Sequence, residues 1–332
     1  MPADELIPLV LCIDVEPDEQ HVARNDPRPW RGFEAAVAWA QPIRDELARI
    51  TGRPANFSWF LRMDQQVTHG YGEPTWVAHR YADHLAVLKR DGDELGLHPH
   101  AWRWDDEVGW IVDLADGEFV SRVVQGSFHA YRDAFGETCR AHRFGDGYLS
   151  DGIIDQIMSL GVKVDVTAEP GMTHVAAVRR GARFRGGVPY SAGATRTSQL
   201  ITRNPDESGH ATRSLVLIPL ASADPDSTMP AWRRIARRLR YAGQPLHRQL
   251  VLSLPWPAAR FWNLIARDVE RGELDTVAFG IRSSTFTDKA AADLIAHKLR
   301  GLAFHPLGKR LSCATASAAA DLLRARSADA AA

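Results

Sequence analysis

A chain of 332 residues with a formal net charge of −1 and 45% hydrophobic residues carries enough apolar material for a large core. Its near-zero charge excludes a general affinity for nucleic acid, and no apolar run reaches the roughly 18–20 residues of a helical membrane span. Three widely spaced cysteines, Cys12, Cys139 and Cys313, form no CxxC pair, which excludes a disulfide framework and a thiolate zinc site and fits a cytoplasmic address.

The opening "MPADELIPLVLCIDVEPDE" lacks a basic region and a small-residue cleavage site, so it reads as a first strand rather than a signal peptide. That strand, "IPLVLCID" (7–14), is continuously apolar, as a parallel strand covered on both faces is. Residues 33–50 are helical with an internal Pro42, and "ANFSWFLRMD" (55–64) is a second strand. Residues 76–93 read as one amphipathic helix stopped by Gly92, followed by the strand "ELGLH" (94–98). A helix near 118–135 leads to "CRAHRF" (139–144), then to the helix "SDGIIDQIMSLG", capped by Ser150 or Asp151.

Further strands are expected at 162–167, 214–220 and 275–283, with long loops over 171–213 and a final "RLSCATA" before a helix. The alternation predicts an α/β fold, a parallel sheet with helical crossovers, barrel or open. No domain boundary is visible, so residues 1–326 are expected to form one domain, followed by a disordered alanine-rich tail over 327–332.

The polar residues collect at strand ends. Strand one ends in Asp14, Glu16 and Asp18, strand two in Arg62 and Asp64, strand three in His98 and His100, and strand four in Arg143 and Asp146. In a parallel barrel these ends share one mouth. Asp14 and Glu16, two apart on an extended chain, share a face. One can ligate a divalent metal while the other takes a proton, although strand-end carboxylates also serve as helix caps. Asp18, beyond Pro17, reads as a loop cap.

His98 and His100 have the same spacing, and Pro99 favours extended backbone at His98. Neutral imidazoles suit zinc and other late first-row metals; the competing reading is a surface histidine beside a structural one. Arg143 fits a carboxylate through its planar fork or makes an ordinary ion pair, and Asp146 between two glycines fits a tight turn. Trp102 and Trp104 suit either a sugar ring or loop packing. The arginines of "AWRRIARRLR" (231–240) lie along a basic helix, either a solvated face or a contact for anionic lipid or a phosphorylated substrate.

The order of "LCIDVEPD", "ANFSWFL", "LKRDGDELGLHPHAW" and "RFGDGYLSDGIIDQIMSLGVKVD" resembles the polysaccharide deacetylase superfamily, the carbohydrate esterase family four barrels, over most of residues 7–168. The resemblance implies a distorted (β/α) barrel of about seven parallel strands and a divalent metal that activates water against an N-acetyl or related acyl group. By that resemblance Asp14 is the catalytic base and Arg143 braces it. Val15 stands where a second, metal-binding aspartate usually follows, and Glu16 matches relatives whose metal carboxylate falls two residues on.

His98 matches the first metal histidine. Trp102 stands where the second usually lies, and His100 is the substitute. A late histidine that protonates the leaving amine is replaced at the matching strand end by Arg282 and Ser283. His305, in "FHP", is the other candidate for that acid. Arg282 can stabilise an oxyanion or bind an anionic substrate but holds its proton too tightly to be an acid.

The expected function is a metal-dependent hydrolase removing an acyl group from a carbohydrate or sugar-containing metabolite. Its metal is zinc first, with cobalt and nickel as alternatives, and Arg62, Asp64, Trp102 and Asp146 are its substrate contacts. The alternative is a non-hydrolytic barrel that binds a carbohydrate or a partner protein. A third reading, cleavage between sugars by paired carboxylates, needs Asp14 with Asp64 or Asp146.

Overall fold

The structure is a computed structural model that describes residues 5–20, 22, 23, 25, 28–170, 184–186, 196–203, 213–224, 232, 235 and 248–331. Its first strand, β1 (Ile7–Val15), is buried at every position. It lies centrally, parallel to β2 (Ser58–Leu61) on one side and to a late strand, Val277–Arg282, on the other.

Beyond β2 come β3 (Glu94–Leu97), with the hairpin β4 (Trp102–Asp105) and β5 (Gly109–Asp113) after it in sequence, then β6 (Ala141–His142) and β7 (Val164–Asp165). A short β8 (Phe184–Arg185) pairs with β5. Next come β9 (Gln199–Arg203), β10 (Arg213–Leu217), β11 (Ser222–Ala223) and β12 (Arg248–Gln249). The late strand is β13, and β14 (Leu311–Cys313) also pairs with β1.

The main sheet runs β13-β1-β2-β3-β6-β7-β10-β9, parallel apart from the antiparallel edge strand β9. It curls back on itself: the Ala221 amide donates to the Ala278 carbonyl across 2.8 Å, bringing the end of β10 onto β13. The result is a curled α/β half-barrel, a parallel-dominated sheet of the class the strand–helix alternation predicts and close to the distorted barrel the resemblance implies.

Period-two alternation explains how one strand serves a core and a site. Ile7, Leu9, Leu11, Ile13 and Val15 belong to the main apolar cluster that includes the helices. Val10 and Cys12 belong to a second cluster with Phe60, Val164, Val166, Ala278 and the last helix. Continuing that second face along β1 leads to Asp14 and then Glu16. The lower half of the interior is therefore apolar and its upper half polar.

Helix α1 (Arg31–Thr51) buries Phe33, Val37, Ala40, Ile43 and Leu47, the one-sided spacing of an amphipathic helix. Pro42 is tolerated there because it and Ala38 are exposed, so the carbonyl that loses its amide partner meets water. Helix α2 (Gln65–Tyr71) follows β2. The single helix expected over 76–93 is two, α3 (Trp76–Arg80) and α4 (Ala82–Arg90), broken at Tyr81. Tyr81 is buried and its hydroxyl accepts from the Trp30 amide at the start of α1, so tertiary packing overrides the helical periodicity.

Helix α5 (Gly117–Phe135) is capped by Asp116, and α6 (Asp151–Ser159) by Ser150. Later helices are α7 (Ala258–Glu270), α8 (Lys289–Arg300) and α9 (Ala316–Ala331). The last runs to Ala331, into the stretch 327–332 read as a disordered tail, and its composition suits this, alanine being the best helix former. Ala316, Ala319 and Ala320 close the apolar half of the interior. No helix among the described residues is long and apolar enough to cross a membrane. The arginines of the basic stretch 231–240 lie outside the described residues; Trp232 and Ile235 within it are exposed.

Candidate active site

Five strand ends, those of β1, β2, β3, β6 and β13, meet at one cavity of about 620 Å³. Its walls include Asp14, Glu16, Arg62, His98, His100, Trp102, Arg143, Asp146 and Arg282. Nine of the eleven residues given a catalytic, metal-binding or substrate role from the sequence are thus brought together.

Asp14 is buried at the end of β1. Arg143 clamps it, donating from Nε to both carboxylate oxygens at 2.9 and 3.2 Å. Burial pushes the Asp14 carboxyl up from its ordinary range, and Arg143 opposes that shift. Arg143 also donates to the Val166 carbonyl at 2.9 Å and to Glu169 at 3.3 Å. Burial disfavours its charge, but Asp14 and Glu169 outweigh that and hold its proton more tightly than usual. Gly280 packs closely opposite: a Cβ there would lie 2.8 Å from Arg143 Nη2, so the guanidinium would have to shift.

Glu16, two residues on, is equally buried. Its Oε1 accepts from Arg282 Nε, while Oε2 lies 3.6 Å from Arg62 and 3.7 Å from His100 Nε2. Its backbone amide donates to the Ser283 hydroxyl at 3.2 Å, which ties the ends of β1 and β13 together.

His98 donates Nδ1–H to the Arg143 carbonyl at 2.7 Å, because a carbonyl can only accept. Its Nε2 therefore carries a lone pair, and this faces His100 Nε2 at 3.0 Å. His100 Nδ1 lies 3.0 Å from Asp146 Oδ2 and 2.9 Å from Trp102 Nε1. Two tautomers follow. With its proton on Nε2, His100 donates to His98 and accepts from the Trp102 indole. With its proton on Nδ1, it donates to Asp146, and both Nε2 lone pairs turn to one point. Burial lowers the pKa of both imidazoles well below the ordinary histidine value, each imidazole helped by neighbouring positive charge, so both are neutral at pH 7.

The second tautomer is the arrangement a cation needs. Glu16, His98 and His100 each offer a ligand atom, all within 4.8 Å of one another. Two neutral imidazoles and one carboxylate, with the outer nitrogens hydrogen-bonded to a carbonyl and a carboxylate, fit a first-row divalent ion. Gly145 makes room for His100, since a Cβ there would meet three ring atoms at 2.3 Å. Asp146, at φ 56, adopts the left-handed conformation that sends the chain round this corner.

Three expectations change. Asp64 does not line the cavity. It caps α2 through the Gln66 amide, pairs with Arg62 and accepts from the His100 amide at 3.0 Å. Burial opposes its charge, but Arg62 and that amide more than compensate and hold its carboxyl below the usual range. Its carboxylate is taken up by these neighbours, and Arg62, which does line the cavity, is bonded to Asp64 and Gln66.

His305 is also outside the cavity: its ring bonds Asn263 on α7 at 2.9 Å and accepts from the Leu307 amide, a helix-end role. The carboxylate pairs needed for cleavage between sugars are likewise committed, Asp64 to Arg62 and Asp146 to His100. Trp102, buried on β4, forms wall and hydrogen-bond donor at once.

Sequence reasoning missed Glu169, beyond β7, and Gln249 and Val251, which the β11–β12 pairing brings to the mouth. The run "DVTAE", a strand ending in a carboxylate, carried the same signal as β1 for Glu169. Nothing local marks Gln249.

No family model matches the sequence, and no curated protein does. Solved structures of similar shape include a polysaccharide deacetylase from Mycobacterium smegmatis described as putative (11% identity, TM-score 0.49, covering 98% of this chain and 93% of that one). Another is a family 4 carbohydrate esterase from Streptomyces lividans in complex with acetate (9%, 0.38, 92% and 90%). A third is a 4-alpha-glucanotransferase from Thermococcus litoralis (10%, 0.44, 95% and 40%). The chain is thus similar, at low identity, to deacetylase barrels of carbohydrate esterase family 4, the group its strand-end motifs resemble.

Proposed function

We propose that the chain is a metal-dependent hydrolase that removes an acyl group, N-acetyl in the first instance, from a carbohydrate or sugar-containing metabolite. One observation carries this reading. Glu16, His98 and His100 converge on a single point, with Asp14 Oδ2 3.8 Å from His98 Nε2 and clamped from behind by Arg143.

Glu16, His98 and His100 would hold a divalent cation, zinc first and cobalt or nickel next, which when bound would supply Lewis acidity toward water and the acyl carbonyl. The protein's own residues do the rest. Arg143 fixes the Asp14 carboxylate, and Asp14 takes the proton of the attacking water. With His305 outside the cavity and Arg282 unable to release its proton, that proton is returned by Asp14 to the leaving atom. Trp102 and Val112 form part of the cavity wall. The three cysteines are buried and unpaired, which supports a cytoplasmic address and a soluble acylated metabolite, nucleotide-linked sugar or lipid-linked glycan precursor as substrate.

Acetate release from N-acetylated sugars tests the reading. Zinc-loaded protein is expected to turn over, chelated protein to stop, and restored zinc to rescue it. Full turnover by metal-free protein contradicts it. The non-hydrolytic reading draws on Arg282 and Ser283 standing where a histidine acid is expected; glycan binding without acetate release, insensitive to chelator, decides for it.

A further inference from the structure

The cavity holds three arginines, and two are consumed. Arg62 and Arg143 are 3% and 6% exposed, and their guanidinium groups are bonded to Asp64 and Gln66 and to Asp14, the Val166 carbonyl and Glu169. Arg282 differs. Its side chain is 47% exposed at the mouth, and among the described residues its hydrogen bonding is confined to Nε, which donates to Glu16 Oε1.

That single bond fixes the guanidinium plane beside Glu16 and leaves the two Nη groups, the edge that matches a carboxylate or phosphate bidentately. The backbone beneath it is also pinned. Asp14 and Arg282 are register partners on β1 and β13, and the Ser283 hydroxyl donates to the Glu16 carbonyl as it accepts from the Glu16 amide. Each carboxylate lining the cavity already has a partner: Asp14 and Glu169 face Arg143, Glu16 faces Arg282 Nε and Arg62, Glu19 faces Arg28, and Asp146 faces the His100 ring.

We infer that Arg282 recognises an anionic oxygen group on the substrate, a carboxylate or a phosphate, near the acyl group to be removed. This deepens the hydrolase reading and rests on it for the word substrate, but the recognition is measurable without turnover. Arginine here trades a proton donor for a fixed positive fork, so the barrel selects charged sugars over neutral ones.

Calorimetric titration of the wild-type protein with three sugars tests this: N-acetylglucosamine, its 6-phosphate, and the uronic acid with a carboxylate at the same carbon. At least one charged sugar is expected to bind about tenfold or more tighter than the neutral one, and the better of the two identifies the anion. Arg282→Gln is expected to erase that preference, and Arg282→Lys, which keeps charge without the fork, to restore only part of it. Equal binding of all three sugars, no binding of either charged sugar, or a preference that survives Arg282→Gln overturns the assignment. Failure of acetate release with the charge preference intact would sink the hydrolase reading alone.

Discussion

His98 and His100 bring their Nε2 atoms to 3.0 Å from each other while their Nδ1 atoms are held from outside by the Arg143 carbonyl and Asp146. Two basic nitrogens aimed at each other are tolerable only if one carries a proton or a cation lies between them. The hydrogen bonds behind them decide how readily the second state forms.

Asp146 is the first of those supports. Asp146→Ala removes the acceptor that keeps the His100 proton on Nδ1, so zinc affinity is expected to fall about 10–100-fold, the usual cost of losing such an outer partner. Competition with a fluorescent chelator measures it. Unchanged affinity would mean that the Trp102 side of His100 governs the tautomer.

Gly145→Ala is a steric test of the same ring. A Cβ at Gly145 would sit 2.3 Å from three His100 ring atoms, so the imidazole must move. A stability loss of about 1–3 kcal/mol is expected, together with weaker zinc binding. Wild-type affinity in this variant would show that His100 is not a ligand.

Arg143→Met leaves Asp14 buried without its counter-charge. Breaking a buried pair in this way costs about 3–5 kcal/mol, and pairing it with Asp14→Asn should recover much of that loss. Urea unfolding of the single and double variants reads both values. A loss under about 1 kcal/mol from Arg143→Met would mean that Asp14 is neutral or solvated.

His305→Ala is expected to leave kcat/KM within about twofold, because His305 bonds Asn263 and the Leu307 amide rather than lining the cavity. A general acid contributes roughly 10²–10⁴-fold, so a loss of that size would return His305 to the reaction.

Much of the site was legible in the sequence, for a simple reason. In a parallel α/β sheet the strands' C-terminal ends share one side, so Asp14, Glu16, Arg62, His98 and Arg143 needed only a correct strand reading to be placed together. The faces were legible too, since Val10 and Cys12 lead by twos to Asp14 and Glu16. Residues whose role is set by a tertiary partner were not. That the His100 amide and Arg62 bond Asp64, and that the helix breaks at Tyr81 where its buried hydroxyl accepts from the Trp30 amide, leave no local signal. The hairpin at 102–113 was missed although Gly109, at φ 78, marks its turn. Gln249 arrives through a pairing of strands two residues long, which leave no periodic signal.

The central claim is a cation on Glu16, His98 and His100, and elemental analysis of protein purified without a histidine tag tests it most directly. About one equivalent of divalent metal in wild type, lost in His98→Ala and in His100→Ala with the fold retained, is the predicted result. Metal-free wild type after dialysis against zinc, cobalt and nickel and removal of the excess, or metal retained equally by both variants, would contradict it.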